Sequence, residues 1–197
     1  GNYHQTLDRC LDAFGWREKA AFNGKVIDGR HHGAAVTCFV QSGGGGPKES
    51  ARALLERDGT VTVYVGSSAL GQGIETAFAQ IAADMLGMPI SRFRVLHGST
   101  SFVSQGSGTF HSRSVMFGGP AVLAATQALS ERIKTAGANR LGIAVTDAAF
   151  RDEKVTGPDG RSVPLADIAV GCLEPLEALG SSGAGHIAWS YGAQAAH

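Results

Sequence analysis

Two glycine-containing segments stand out among the side chains able to do chemistry. Gly71-Gln72-Gly73 precedes one helical pattern, and Gly106-Ser107-Gly108-Thr109-Phe110-His111-Ser112 precedes another. A helix start presents backbone N–H groups without intrahelical partners and the positive end of the helix dipole, and glycine lets a ligand approach the main chain closely. Two such starts side by side would suit an extended anion, such as a dinucleotide pyrophosphate. Thr76, Ser112 and Ser114 add hydroxyls, Arg113 adds a cation, and Gln72 offers a donor and an acceptor. Taken singly, each loop also reads as an ordinary turn with Ser/Thr caps. Neither is the Rossmann fingerprint GxGxxG or the phosphate-binding GxxxxGK[ST].

Other chemistries find less support. The seven histidines, among them the adjacent His31-His32, form no HExxH spacing, and there is no CxxC. The His31-His32 pair reads as a solvated loop pair. No GxSxG nucleophile elbow is present. Glu75, in the first turn after Gly73, reads as a surface carboxylate favoured by the helix dipole. On spacing alone, the chain is an α+β domain with anion-binding loops, without a catalytic residue or a protein metal ligand to name.

Composition narrows the setting. The 17 basic and 17 acidic residues among 197 cancel, which removes the electrostatic case for nucleic acid as a partner. Charged residues are 17% of the chain, against about a quarter in ordinary domains. Glycine, at 28 residues, is in excess. No apolar run approaches the roughly 18 residues of a membrane span. Cys10, Cys38 and Cys172 are widely spaced and odd in number, which predicts free thiols in a reducing compartment. Low charge, a start at Gly1 and an end within Ser190–His197 lead to the expectation of a piece cut from something larger.

The elements that must position the loops follow from periodicity. Apolar residues Tyr3, Leu7, Cys10, Leu11 and Phe14 predict an amphipathic helix over 2–14. Residues 17–33 read as a connection, 34–41 as a buried strand, and 43–47 as a loop joining strands. Residues 49–57 and 60–65 flank Asp58-Gly59, which predicts a hairpin with a tight primed turn. A helix is predicted over 74–86, stopped by Gly87 and Pro89. A strand over 92–97, a loop over 98–112 and an alanine-dense helix over 113–135 come next. Then a hairpin around 157–160, a short helix near 164–171 that Ser162 would cap, a Gly/Ser loop at 180–185, and a strand from 186 complete the chain. Strands and helices mix without regular alternation, so the fold class is α+β, a mixed sheet with helices.

Taken together, the motifs carry a resemblance. Thr60–Gly66, Gly71-Gln-Gly-Ile-Glu-Thr76, Ala79–Asp84 and Gly108-Thr-Phe-His-Ser-Arg-Ser114 resemble, in order and spacing, the large molybdenum-binding subunit of the xanthine dehydrogenase/aldehyde oxidase family, which includes bacterial aldehyde oxidoreductases and carbon monoxide dehydrogenases. Gly46-Pro47, Gly59 and the closing Tyr191–His197 agree. The likeness covers nearly all of 1–197, as part of a second molybdopterin-binding domain; it is best over 34–132 and weaker over 140–197.

The resemblance implies a molybdopterin cofactor, often the cytosine dinucleotide in bacteria. It would be held by Gly71, Gln72, Gly73 and Thr76 and by Thr109, Phe110, His111, Ser112, Arg113 and Ser114. It further implies that the metal is bound by the pterin dithiolene, and that an aldehyde or N-heterocycle carbon is hydroxylated with water-derived oxygen. Electrons would leave through iron–sulfur and flavin (FAD) centres on other domains or subunits. The compartment implied is the cytoplasm, with the periplasm open. Two departures from the family pattern matter: His111 stands where a small residue is usual near the metal, and Ser99 and Ser101 replace acidic residues. The family's base glutamate lies beyond this stretch, so no catalytic residue is assigned. The rivals are a non-catalytic relative keeping the fold as a module, and an unrelated binder of sugar or nucleotide phosphates.

Overall fold

The computed structural model describes residues 1–183 and 188–197. Along the chain lie α1 (Tyr3–Phe14), α2 (Trp16–Lys19), β1 (Val26–Ile27), β2 (Arg30–His31), β3 (Ala35–Gly43), β4 (Glu49–Leu55), β5 (Val61–Val65), α3 (Ile74–Leu86), β6 (Phe93–His97), α4 (Gly119–Leu141), β7 (Ala149–Arg151), β8 (Lys154–Thr156), β9 (Ser162–Pro164), α5 (Leu165–Gly171), β10 (Glu177–Ser182) and β11 (Ala188–Ala196). They fall into two compact units: residues 1–43 with β11, and a larger unit running from Gly44 through β10.

In the smaller unit, Asn2 caps α1 by accepting from the Gln5 N–H at 3.1 Å, and Gly15, left-handed at φ 73°, ends it. The 17–33 stretch holds more than a connection. Asp28 and Gly29, with φ of 50° and 76°, turn β1 into β2. Positive φ at both central residues is what a primed hairpin turn requires. His32 leaves the solvated pair expected for it, since its Nδ1 meets His197 Nε2 at 3.1 Å. β3 and β11 form an antiparallel ribbon from Ala35↔Ala196 to Gly43↔Ala188. The expectation of a buried strand is corrected here: residues 35–41 are exposed, because β3 pairs along one edge in a two-stranded ribbon.

The larger unit is built on a sheet of order β10-β4-β5-β6, antiparallel except for the parallel β5–β6 pair. This is the mixed sheet the sequence predicts. Alternation sets its faces: Ala51, Ala53 and Leu55 and then Val61, Val63 and Val65 are buried against Ile74, Phe78, Ala82 and Leu86 of α3 and Ala121, Val122, Ala125, Leu129 and Ile133 of α4. Small residues let the layers close: a Cβ on Gly180 would collide with the main chain of α4 at Ala121 and Ala125. That close approach keeps 180–182 in strand β10 instead of the expected loop; residues 184–187 lie outside the described residues.

Other readings need adjustment. The β4–β5 turn is not primed, since Asp58 is not left-handed and only Gly59 is (φ 81°). The Gly59 N–H bonds Glu56 O at 3.0 Å and the Glu56 N–H bonds Thr60 O at 2.8 Å, a type I turn followed by a left-handed glycine. The second long helix extends six residues past the expected end, to Leu141, where Gly142 caps it at φ 69°. Gly137 does not stop it; the bare Cα packs on Val155, whose side chain a Cβ would crowd at 2.5–2.7 Å. Ser162 lies in β9 and does not cap α5, which starts after Pro164 without a side-chain cap.

Candidate functional site

β5 and β6 run parallel, so both leave the sheet at the same end. From β5 comes the loop 66–73 that opens α3; from β6 comes the loop 98–113 that leads to α4. The carboxyl ends of parallel strands, where outgoing loops splay apart, are a recurrent place for ligands. Here the two loops are fastened to each other. Thr109 Oγ1 accepts from the Ser68 N–H at 3.0 Å and donates to Ser68 O at 2.5 Å. Gln72 Nε2 donates to the same Ser68 O at 3.2 Å, and its Oε1 accepts from the Leu70 N–H. Ser114, buried, donates from its hydroxyl to Thr109 Oγ1 at 3.0 Å. Behind these contacts the bare Cα atoms of Gly66 and Gly106 touch; a Cβ on Gly106 would come within 2.5 Å of Gly66 Cα. Between the loops lies a cleft of about 200 Å³ lined by Gly66, Ser68, Gly98, Ser99, Thr100, Val103 and Gly106.

The expected site residues therefore converge, but they play different parts. Gly71, Gly73 and Gly108, at φ of 94°, 77° and 78°, face open space, so their main chain can be approached. Thr76 is exposed in the first turn of α3. His111 and Ser112 are exposed and consecutively left-handed, at φ 48° and 54°. For non-glycine residues that conformation costs roughly 1–2 kcal/mol each, and surrounding structure must enforce it. Part of the enforcement is the Gly44 N–H, which donates to His111 O at 2.7 Å. Phe110 is half exposed, edge-on to His111 and over the Arg113 guanidinium at 5.3 Å.

Arg113 is turned away from the loop surface. It is fully buried, ion-paired with the equally buried Glu49, and donates to Gly45 O, Gly108 O and Pro47 O at 3.1, 3.0 and 2.6 Å. Its charge is spent internally instead of facing an incoming anion. After Arg113 the chain makes a wide π-turn, Ser114–Gly118, before α4 begins. Such turns are often found at functional sites.

Residues outside the sequence-based set also build the site. Ser68 takes the hydrogen bonds of both loops, and Glu49 anchors Arg113. Glu49 had a readable signal: it shares the inward alternation of Ala51, Ala53 and Leu55, and a carboxylate on a buried face calls for a partner. Glu75, beyond its dipole role, pairs with His97 at 2.9 Å and joins α3 to the end of β6. The hydrogen bond from His97 holds the Glu75 carboxyl below its ordinary range. Among the described residues no three His, Cys, Asp or Glu side chains cluster as a metal would need, the three cysteines are unpaired, and no helix is long and apolar enough to cross a membrane.

Fold and loops thus define an α+β module that offers glycine and hydroxyl loops to a ligand at one end of a mixed sheet. The family model for the molybdopterin cofactor-binding domain matches residues 9–197. The chain is 30% identical over 186 residues to the carbon monoxide dehydrogenase large chain of Hydrogenophaga pseudoflava, covering 86% of this chain and 23% of that one. It is 36% identical over 177 residues to the aldehyde oxidoreductase molybdenum-binding subunit PaoC of Escherichia coli K12, covering 84% and 22%. Among solved structures, quinoline 2-oxidoreductase from Pseudomonas putida 86 matches with a TM-score of 0.62 at 27% identity, over 99% of this chain and 28% of that one. The reconstituted CO dehydrogenase from Oligotropha carboxidovorans shares the fold with a TM-score of 0.66 at 21% identity, over 98% and 28%. This chain belongs to the molybdopterin cofactor-binding domain family. Its relatives are oxidoreductases, and it spans under a quarter of the length of the Hydrogenophaga and Escherichia proteins.

Proposed function

We propose that this chain supplies one wall of the molybdopterin site in a molybdenum hydroxylase, and that the cofactor is the cytosine dinucleotide form. The observation that carries this reading is the Ser68–Thr109 tie, which holds the 71–73 turn and the 108–114 loop as one surface. The residues fit such a group: glycines 71, 73 and 108 leave main chain approachable, and hydroxyls are at hand. With Arg113 withdrawn, phosphate oxygens are met by backbone N–H groups, Thr76 and Ser112, the neutral-donor way of holding an anion. Gln72 and Thr109 shape the turn, and Phe110 and His111 form the exposed lip. When bound, the molybdenum group supplies two-electron oxidation of an aldehyde or N-heterocycle carbon with oxygen drawn from water. This chain's residues orient it; the general base belongs to the remainder of the subunit. Electrons leave through iron–sulfur and flavin partners. Both units, residues 1–197, act as one partial domain, and the setting is the cytoplasm, in keeping with free thiols.

The test is made on the parent subunit expressed with cofactor supply. Molybdenum and pterin are expected in near-equal amounts, and Gly71→Ala or Gly108→Ala is expected to lower both while the protein stays folded. Parent protein devoid of both sinks the reading. A second reading, a non-catalytic relative, is favoured by one observation: the His111 imidazole stands exposed on the strained lip. His111→Gly separates the two. Activity that appears or rises means the histidine blocks a competent site, and a protein free of cofactor with either residue favours the module.

A further inference from the structure

Arg113 and Glu49 are both fully buried. Taking two charges out of water is costly, and such pairs persist where geometry is nearly complete or where they fix a structure. On the arginine side the geometry is nearly complete. The planar fork reaches Glu49 together with the carbonyls of Gly45, Pro47 and Gly108. Those four acceptors come from the loop before β4, from β4 itself and from the loop before α4. A lysine could not span them, because its ammonium lacks the fixed fork. Everything strained in the site stands within a few residues of this tie. His111 and Ser112 are left-handed beside it, the Arg113 N–H holds Phe110 O at 3.0 Å, and Gly44 holds His111 O. Through Thr109 the order passes on to Ser68 and the first loop.

We infer that the Arg113–Glu49 pair is a positioning device: it sets the left-handed conformation of the 108–113 loop, and through Thr109 that of the 66–73 loop, without touching the ligand. The inference rests on the proposed function only for what the loops hold; the positioning is a property of this chain alone. An arginine serving as a phosphate ligand would have to abandon Glu49 to a buried, uncompensated charge. A positioning arginine keeps the pair intact whether or not a ligand is bound.

Hydrogen exchange on the 197-residue chain tests it. The reporters are the backbone amides of positions 44, 68 and 113, which bond His111 O, Thr109 Oγ1 and Phe110 O. In Glu49→Gln and in Arg113→Lys these amides are expected to exchange at least tenfold faster than in the parent chain, while those of β5 and α4 change little. If a single variant fails to fold, the double variant Glu49→Met/Arg113→Met decides. Replacing a buried pair by apolar side chains commonly restores stability, so its thermal midpoint is expected to approach that of the parent chain while the three reporters remain fast. Parent-like protection at the three amides in the folded double variant overturns the inference. Pterin content of the parent subunit gives a separate readout. A parent that never holds pterin defeats the proposed function and leaves the exchange result standing.

Discussion

Thr109→Val removes one oxygen and keeps the shape of the side chain. The hydroxyl it deletes takes part in three hydrogen bonds: from the Ser68 N–H at 3.0 Å, to Ser68 O at 2.5 Å, and from the Ser114 hydroxyl at 3.0 Å. Ser68 O keeps Gln72 as a donor. The Ser68 N–H and the buried Ser114 hydroxyl lose their acceptor. A hydrogen bond contributes about 0.5–1.5 kcal/mol net, and Thr109 is only half buried, so the lower part of that range applies and the sum is about 2 kcal/mol. For a chain of this size each kcal/mol moves the thermal midpoint by about 2–4 °C, which gives a drop of roughly 4–8 °C. Differential scanning calorimetry of the valine variant beside Thr109→Ser measures it. The serine variant keeps the hydroxyl and is expected to stay near the parent chain. A valine midpoint within about 1 °C of the parent would show that the two loops are not joined through this oxygen, and the picture of a single surface would fail with it.

Glycine in mid-helix normally gives way to alanine with a gain of about 0.5–1 kcal/mol; Gly137→Ala is expected to do the opposite, losing about 1–3 kcal/mol by crowding Val155, read from the urea midpoint. Gly106→Ala is likewise expected to destabilise, because the new methyl meets the main chain of Gly66, and wild-type stability would show that the loops stand further apart. Glu75→Gln tests the His97 pair by pH. The folded carboxyl is held below its ordinary 4.5, so the stability it contributes is complete above that value and is lost as the pH falls through the lowered one. The gap in thermal midpoint between parent and glutamine variant is therefore expected to be widest near neutral pH and to close in acid; a gap constant down to pH ~3 would remove the pair as a contributor. His111→Gly relieves a left-handed non-glycine residue, and its thermal midpoint is expected to equal or exceed that of the parent chain.

What the sequence made legible were features of local origin. The helix at Ile74–Leu86 matches its prediction residue for residue, because apolar spacing and the Gly87 stop signal both lie within the segment. The two loops were visible as glycine-rich helix starts. Features decided by distant contacts were hidden. Gly137 lies beyond the expected helix end at 135 and is held in the helix against Val155, and Gly180 reads as a loop until α4 is laid across it. Arg113 is the instructive case. Its type and position suit an anion ligand, and only the fold shows that Glu49, 64 residues earlier, already holds it. Even so, the register of β4, with Glu49 in phase with alanines that face the core, was a local clue that a buried cation had to exist.

The parallel pairing of β5 and β6 has a consequence for the order in which the molecule assembles. An antiparallel pair can form through a short turn, but a parallel one needs a crossover, and here that crossover contains α3. The Ser68–Thr109 contact then closes a further loop of 41 residues, and the Arg113–Glu49 contact one of 64. Closing such spans costs roughly 3–4 kcal/mol of chain entropy each, beyond a constant, and that cost falls due before the contacts return anything. By the same reasoning these contacts set after the local β4–β5 hairpin, and the β10–β4 pairing, which joins Glu177 to Leu54, sets later still. For the cofactor proposed above, this order favours loading after folding, once the two loops are joined.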